Sequence, residues 1–382
     1  MSTPSGAGKP RILHLHSSFS PGGKELRCVQ LINAFGPGLR HAIVSGEPEQ
    51  MGAAKLISRS ISVDYPQDFP SLQGRPWPGR LLKLAKAMKP YDLVLTYNWG
   101  AMDAVMAHTI FSEALGLPPL IHHEDGFNED EAGKLKASRN WYRRIGLGKA
   151  SGLVVPSERL EEIALLTWQQ PIGRVKRIAN GIDTKAFAKT PRHDVLRVVK
   201  RDNEKWVGTL AGLRPVKNLT ALVRAFAGLP EEWQLVIVGE GPEKDRIRGE
   251  AAALELSHRV HLPGQVANPA DVAGLFDIFA LSSHSEQFPI SVVEAMAAGI
   301  PVAAPAVGDI AQMVASENAP YICAPGDEAA LAASLKQLAT DDVLRGDIGL
   351  ANRTKARAEF DEQRMIDTYR RLYASALGQE IR

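Results

Sequence analysis

Two glutamates, Glu286 and Glu294, stand eight residues apart in the run Ser285–Gly308, SEQFPISVVEAMAAGIPVAAPAVG. Upstream, Phe276–Ser283 (FDIFALSS) is apolar and of strand length; downstream, Ser291–Ala298 reads as a short apolar helix stopped by Gly299 and followed by Pro301. The spacing puts Glu286 in the loop at the carboxyl end of a strand and Glu294 a turn or more into the next helix. In an open α/β sheet that crevice, beyond the strand ends, is where ligands bind. The amides of the stretch Phe288–Ser291, at a helix N-terminus, suit an anion such as a diphosphate. A carboxylate on either side can accept hydrogen bonds from hydroxyls of a sugar and of a ribose.

Other residues with chemical potential also fall at strand ends. Lys217, in GLRPVKNL, follows the first strand of the second half, so its ammonium can reach the same crevice as Glu286; Arg214 lies in the same loop. Gly22-Gly23-Lys24-Glu25 follows the first strand and opens a helix, where glycine lets the backbone approach a phosphate closely. His122-His123-Glu124-Asp125-Gly126 ends another strand and is dense in titratable groups. No metal is expected there, because adjacent side chains on a strand point to opposite faces and no second cluster supplies further ligands. Asp125 could instead orient or deprotonate a hydroxyl. Tyr97-Asn98-Trp99-Gly100, at a further strand end, offers an amide and aromatic faces of the kind that contact carbohydrate.

The run from Glu286 through Phe288-Pro289 to Glu294-Ala295-Met296-Ala297-Ala298-Gly299-Ile300-Pro301-Val302 resembles the signature of retaining glycosyltransferases of family 4, which have the GT-B fold. The resemblance extends over nearly the whole chain, through G-G-x-E at Gly22–Glu25, N-G-x-D at Asn180–Asp183 and the turn Gly239–Pro242. It implies an α/β architecture of two Rossmann-like domains facing across a cleft, with a C-terminal helix crossing back to the first domain. It further implies transfer of a sugar from a nucleotide diphosphate donor, UDP favoured over GDP, to a hydroxyl of a glycan or lipid-linked acceptor. Configuration would be retained, and neither cofactor nor metal is expected.

On the family pattern Glu286 binds the sugar's hydroxyls and Glu294 those of the ribose. Lys217, Gly23 and the positions Phe288, Pro289, Ile290 and Ser291 hold the diphosphate. Asp125, with His122 and His123, serves the acceptor, and by their strand-end placement Asn98 and Trp99 are expected to contact it too. The chain departs from the pattern at three places. Gln287 stands where the family usually has glycine, and Gly212 where it has an arginine, so Arg214 is the expected substitute. Asp125 replaces a histidine before Gly126. A nucleotide-sugar 2-epimerase of the same fold and a non-catalytic nucleotide-sugar-binding protein are the alternatives; the missing G-x-G-x-x-G after the first strand counts against a nicotinamide-dependent dehydrogenase.

The elements that must position these residues alternate strand and helix from end to end, which argues for helices layered on parallel sheets. The expected division is 1–184, 185–358 and a returning segment 359–382, with the polar stretch Thr184–Lys205 as the connection. The last helix, from about Asp361 to Leu377, carries an apolar stripe of Met365, Tyr369, Leu372 and Ala376. At 382 residues the chain is long enough for two cores. A net charge of +2 gives no case for nucleic acid, and no run of about 18 apolar residues suggests a membrane span. Two cysteines and an N-terminus without an apolar signal core point to a reducing, cytoplasmic setting. The basic segments Arg80–Lys89 and Lys134–Lys149, the latter within a helix expected over about Ala132–Gly148, could dock on anionic lipid headgroups.

Overall fold

The computed structural model describes residues 8–127, 131 and 135–381. The chain forms two compact units, Met1–Ala179 together with Met365–Arg382, and Asn180–Arg364. The first unit is built on strands β1 (Arg11–His16), β2 (Arg40–Ser45), β3 (Ser62–Asp64), β4 (Leu93–Tyr97), β5 (Leu120–His123), β6 (Gly152–Val155) and β7 (Val175–Arg177). They pair in parallel in the order β3-β2-β1-β4-β5-β6-β7. Parallel strands need crossovers, and the helices that make them bury both faces of the sheet. Strand β1 shows this directly. Leu13 and Leu15 pack into one layer with Leu84, Val105 and Leu153, while Ile12 packs into the opposite layer with Cys28 and Ile32.

That second layer is completed by the C-terminal helix Glu362–Leu377, which contributes Met365, Ile366, Tyr369 and Tyr373. The stripe expected from periodicity is therefore displaced: Ile366 and Tyr373 are buried, and Leu372 is only partly so. Tyr373 takes the inner place because its hydroxyl lies 2.9 Å from His123 Nε2, a bond leucine cannot make.

The second unit contains β8 (Lys205–Leu210), β9 (Trp233–Val238), β10 (Val260–Gly264), β11 (Ile278–Ala280), β12 (Val302–Pro305) and β13 (Ile322–Cys323), again parallel, in the order β10-β9-β8-β11-β12-β13. The stretch Thr184–Lys205 is part of this unit rather than a free connection. Phe187 and Leu196 are buried, and the Arg192 amide donates to the Asp271 carbonyl at 2.7 Å. Two isolated anchors in a polar segment give no periodicity, so the sequence reads as linker. The turn Asn180–Asp183 pins the start of the last helix: Ile182 bridges Asp361, and Glu362 N–H donates to the Ile182 carbonyl at 2.9 Å.

Strand order reverses between β1 and β4 in the first unit and between β8 and β11 in the second. Such switch points open a crevice at the carboxyl ends of the two strands that flank them. Gly22-Gly23 and Asn98-Trp99 follow β1 and β4; Lys217 and Glu286 follow β8 and β11.

Candidate functional site

In the second unit, β8 runs into a loop and a single turn, Pro215–Lys217, closed by Asn218 in the left-handed region (φ 48°). The loop is braced from β9. A Cβ at Gly239 would stand 1.9 Å from the Ala211 carbonyl oxygen, so only glycine allows this backbone contact. Leu213 N–H then donates to the Glu240 carbonyl at 3.0 Å. The turn Gly239–Pro242 is thus a buttress for the Lys217 loop.

Lys217 Nζ meets Glu286 Oε1 at 2.5 Å, and the same oxygen accepts from Ser283 Oγ at 2.7 Å. The pair is mostly shielded, with side chains 16% and 10% exposed. Gly308 holds the Glu286 loop from the far side: a Cβ there would lie 2.6 Å from the Glu286 and Gln287 carbonyl oxygens. Ser283 and Gly308 were not singled out in the sequence, and only Gly308's place at the end of the glutamate run hinted at it. Arg214 is exposed.

The helix Ile290–Ala298 begins after Glu286, and no side chain among the described residues caps it. Its first N–H groups are orphan donors that suit an anion. Pro289 has no N–H, which corrects one expectation: Phe288, Ile290 and Ser291 can donate, and Pro289 contributes shape alone. Phe288 packs edge-on against Phe360, ring centres 5.6 Å apart. Glu294, on the same helix, has no hydrogen-bond or ion-pair partner among the described residues, and burial pushes its carboxyl up to about 7 from the usual 4.5. The folded state therefore binds more protons than the unfolded one between about pH 4.5 and 7, and Glu294 removes stability as pH rises through that window.

The first unit presents a different picture. Gly23 opens the helix Gly23–Phe35 behind Gly22, as expected. Asp125 is paired through both oxygens with Arg27, with 2.8 Å from Nη2 to Oδ2. Burial alone would raise its carboxyl, but the charge and hydrogen bonds of Arg27 hold it below the usual range. A carboxylate engaged this way is a poor base, so its expected proton-accepting role does not fit. Arg27 was missed because nothing local links it to Asp125, 98 residues away.

The histidines are likewise not available to an acceptor. His122 is fully buried, its Nδ1 2.8 Å from Thr96 Oγ1. His123 is 1% exposed, and its Nδ1 lies 3.2 Å from the Thr96 carbonyl. That carbonyl can only accept, so Nδ1 carries the proton and Nε2 accepts from the Tyr373 hydroxyl. Burial, reinforced by Arg27, pushes His123 down to about 3 and keeps it neutral. Asn98 turns inward, its Oδ1 accepting from the Asp125 amide at 2.8 Å. Trp99 is covered by Arg139 and Arg143, whose guanidinium carbons lie 4.8 and 5.0 Å from the ring centre. This part of the sequence builds a wall rather than an open sugar platform.

Asp125→Asn should remove the carboxylate charge that faces the buried Arg27 guanidinium. Loss of one partner of a buried pair costs about 3 kcal/mol or more. In chemical denaturation the transition of the first unit should move to lower denaturant, and an unchanged midpoint would mean the pair contributes nothing net.

The basic segments are also partly spent. The helix Pro78–Met88 turns Leu81, Leu84, Ala85 and Met88 into the core, so its apolar face cannot enter a bilayer. In the helix Ala137–Gly146, Arg143 is buried against Glu124 and Glu131. Trp141 and Ile145 remain exposed there, with Arg144 over the Trp141 ring. The stretch Ala132–Lys134 of the expected helix lies outside the described residues.

Residues 195–358, which contain the Lys217–Glu286 pair and Glu294, match the family model of glycosyl transferases group 1. That stretch of the second unit is similar to group 1 glycosyl transferases. Among curated relatives, N-acetyl-alpha-D-glucosaminyl L-malate synthase of Bacillus anthracis is 28% identical over 54% of this chain and 55% of its own length. The chain thus spans about half the length of that relative. The putative glycosyltransferase EpsF of Bacillus subtilis is 25% identical over 77% of this chain and 79% of its own. Among solved structures, Anabaena Alr3699/HepE in complex with UDP superposes with a TM-score of 0.78 at 22% identity, covering 96% of this chain and 100% of that one. The fold is GT-B, with two Rossmann-like units.

Proposed function

We propose that this chain is a retaining glycosyltransferase of the family 4 type, with its donor site in the second unit. The observation that carries the reading is the grouping at the β8/β11 switch point of a shielded Lys217–Glu286 pair with an uncapped helix N-terminus. Lys217 and the amides of Phe288, Ile290 and Ser291 hold the diphosphate. Glu286 accepts from the sugar's hydroxyls and Glu294 from the ribose. Lys217 supplies the positive charge that the departing diphosphate requires, so transfer needs no metal. With Asp125 held by Arg27, the departing phosphate takes the acceptor's proton. UDP is the favoured nucleotide, supported by Anabaena Alr3699/HepE, whose structures are described as complexes with UDP and with UDP-glucose. The acceptor is a hydroxyl of a glycan or lipid-linked sugar.

Among the described residues no helix is long and apolar enough to cross a membrane. A cytoplasmic protein touching anionic lipid through Trp141, Ile145 and Arg144 accords with that and with the exposed Lys83, Lys86 and Lys89.

Glu294 supplies the test. Ribose hydroxyls donating to it favour the charged carboxylate, so nucleotide binding lowers its pKa and expels its proton. Calorimetric titration with UDP near pH 6.5, in two buffers of different ionisation enthalpy, should show proton release that falls by most of one proton in Glu294→Gln. Affinity of the wild type should weaken as pH drops below 7, by about tenfold per unit at most. Equal proton release by both proteins would remove Glu294 from the ribose.

A further inference from the structure

We propose that His14, His16 and Cys28 form a zinc-binding site in the core of the N-terminal unit, separate from the transfer machinery. His14 and His16 are two apart on β1, so both imidazoles project to the face covered by the helix Gly23–Phe35. That helix delivers Cys28. One ligand atom from each of the three residues lies within 4.8 Å of the others. Cys28 Sγ is 3.4 Å from His14 Nδ1. Two ligands on one tetrahedral zinc, at about 2.3 Å for sulfur and about 2.0 Å for nitrogen, stand about 3.5 Å apart.

His16 is the second, independent pointer. It is fully buried, yet neither ring nitrogen has a hydrogen-bond partner among the described residues. A buried imidazole normally finds a partner, and a metal ion would be one. Around the three ligands the supporting groups are in place. His14 Nε2 lies 3.0 Å from His41 Nδ1. With metal on Nδ1, His14 donates its Nε2–H to His41, which fixes the tautomer and ring orientation. The Tyr97 hydroxyl, 3.6 Å from Cys28 Sγ, donates to the sulfur.

Two imidazoles and one thiolate are a donor set for zinc, and hard cations such as magnesium prefer oxygen. Binding converts the thiol to a zinc-bound thiolate, and the proton passes to solvent buffer. The ion would tie the first strand to the first helix, a structural role.

The test uses the untagged full-length chain. Cobalt(II) titrated into zinc-stripped protein should bind one equivalent and give the thiolate-to-cobalt charge-transfer band of a cysteine ligand. Zinc should then displace it. Cys28→Ser should lose the band, Cys323→Ser should keep it, and His16→Asn should weaken cobalt binding at least tenfold. Folding of each variant is checked by circular dichroism; the wild-type titration decides the matter even where a variant misfolds. No band with folded wild-type protein, or a band that survives Cys28→Ser, would overturn the proposal.

Discussion

Glu286→Ala should lower kcat by about a hundredfold or more while donor affinity stays close to wild type. Loss of a single electrostatic partner that acts in the transition state has effects of this size. The split between the two parameters follows from the geometry. Glu286 holds Lys217 at 2.5 Å and is itself fixed by Ser283. Removing the carboxylate frees the ammonium for the diphosphate, so ground-state binding does not suffer as transfer does. An interaction of that kind shows in kcat rather than in KM. Glu286→Gln should lie between, since the amide keeps an acceptor oxygen but loses the charge. Steady-state kinetics with a defined donor and acceptor measure this, and wild-type kcat in Glu286→Ala would remove the residue from the site.

Lys217→Met should cost as much in kcat, about a hundred- to a thousandfold, and should weaken donor binding as well. The ammonium faces charge in both the ground state and the transition state, but more of it as the bond to the leaving diphosphate breaks. The substitution also leaves a shielded Glu286 carboxylate without its cation, which adds repulsion toward the phosphates. Because the two side chains act as a unit, the double variant should be far less impaired than the product of the single effects. Lys217→Arg should recover part of the loss, since it keeps the charge but not the compact point contact. Strictly multiplicative single and double effects would show that the pair does not work together.

The grouping at the β8/β11 switch point was legible because its parts are local. Glu286, the helix after it and Glu294 lie within one strand-loop-helix segment, and Lys217 sits in a similar loop after the preceding switch strand. Strand and helix periodicity therefore sufficed to place them. The first unit was legible as a fold but not as a site. His122 and His123 look like acceptor-binding residues in one dimension. Only tertiary contacts reveal that Thr96 and Tyr373 take both ring nitrogens of His123 and that Thr96 takes Nδ1 of His122. Asp125 looked like a free carboxylate because its partner, Arg27, lies on a distant helix. The same limit explains Phe187 and Leu196, each an isolated anchor with no pattern around it. It also explains the terminal helix, where the buried face was chosen by a tyrosine hydroxyl rather than by hydropathy. The cluster of His14, His16 and Cys28 escaped notice for the opposite reason: a strand that reads as RILHLH suggests a buried β1 and nothing more.

The central claim, that the second unit holds a nucleoside diphosphate through Lys217 and Glu294, is tested most directly by ligand-dependent thermal stability. UDP, GDP, NAD and NADP are compared on the wild-type chain and on Lys217→Met. At about a hundred times its dissociation constant, a nucleotide that binds the folded state adds about 2.7 kcal/mol. UDP or GDP should raise the melting temperature of the wild type, with a much smaller rise in Lys217→Met and none from NAD or NADP. A shift produced by NAD or NADP and not by UDP or GDP, or one that survives undiminished in Lys217→Met, would contradict it.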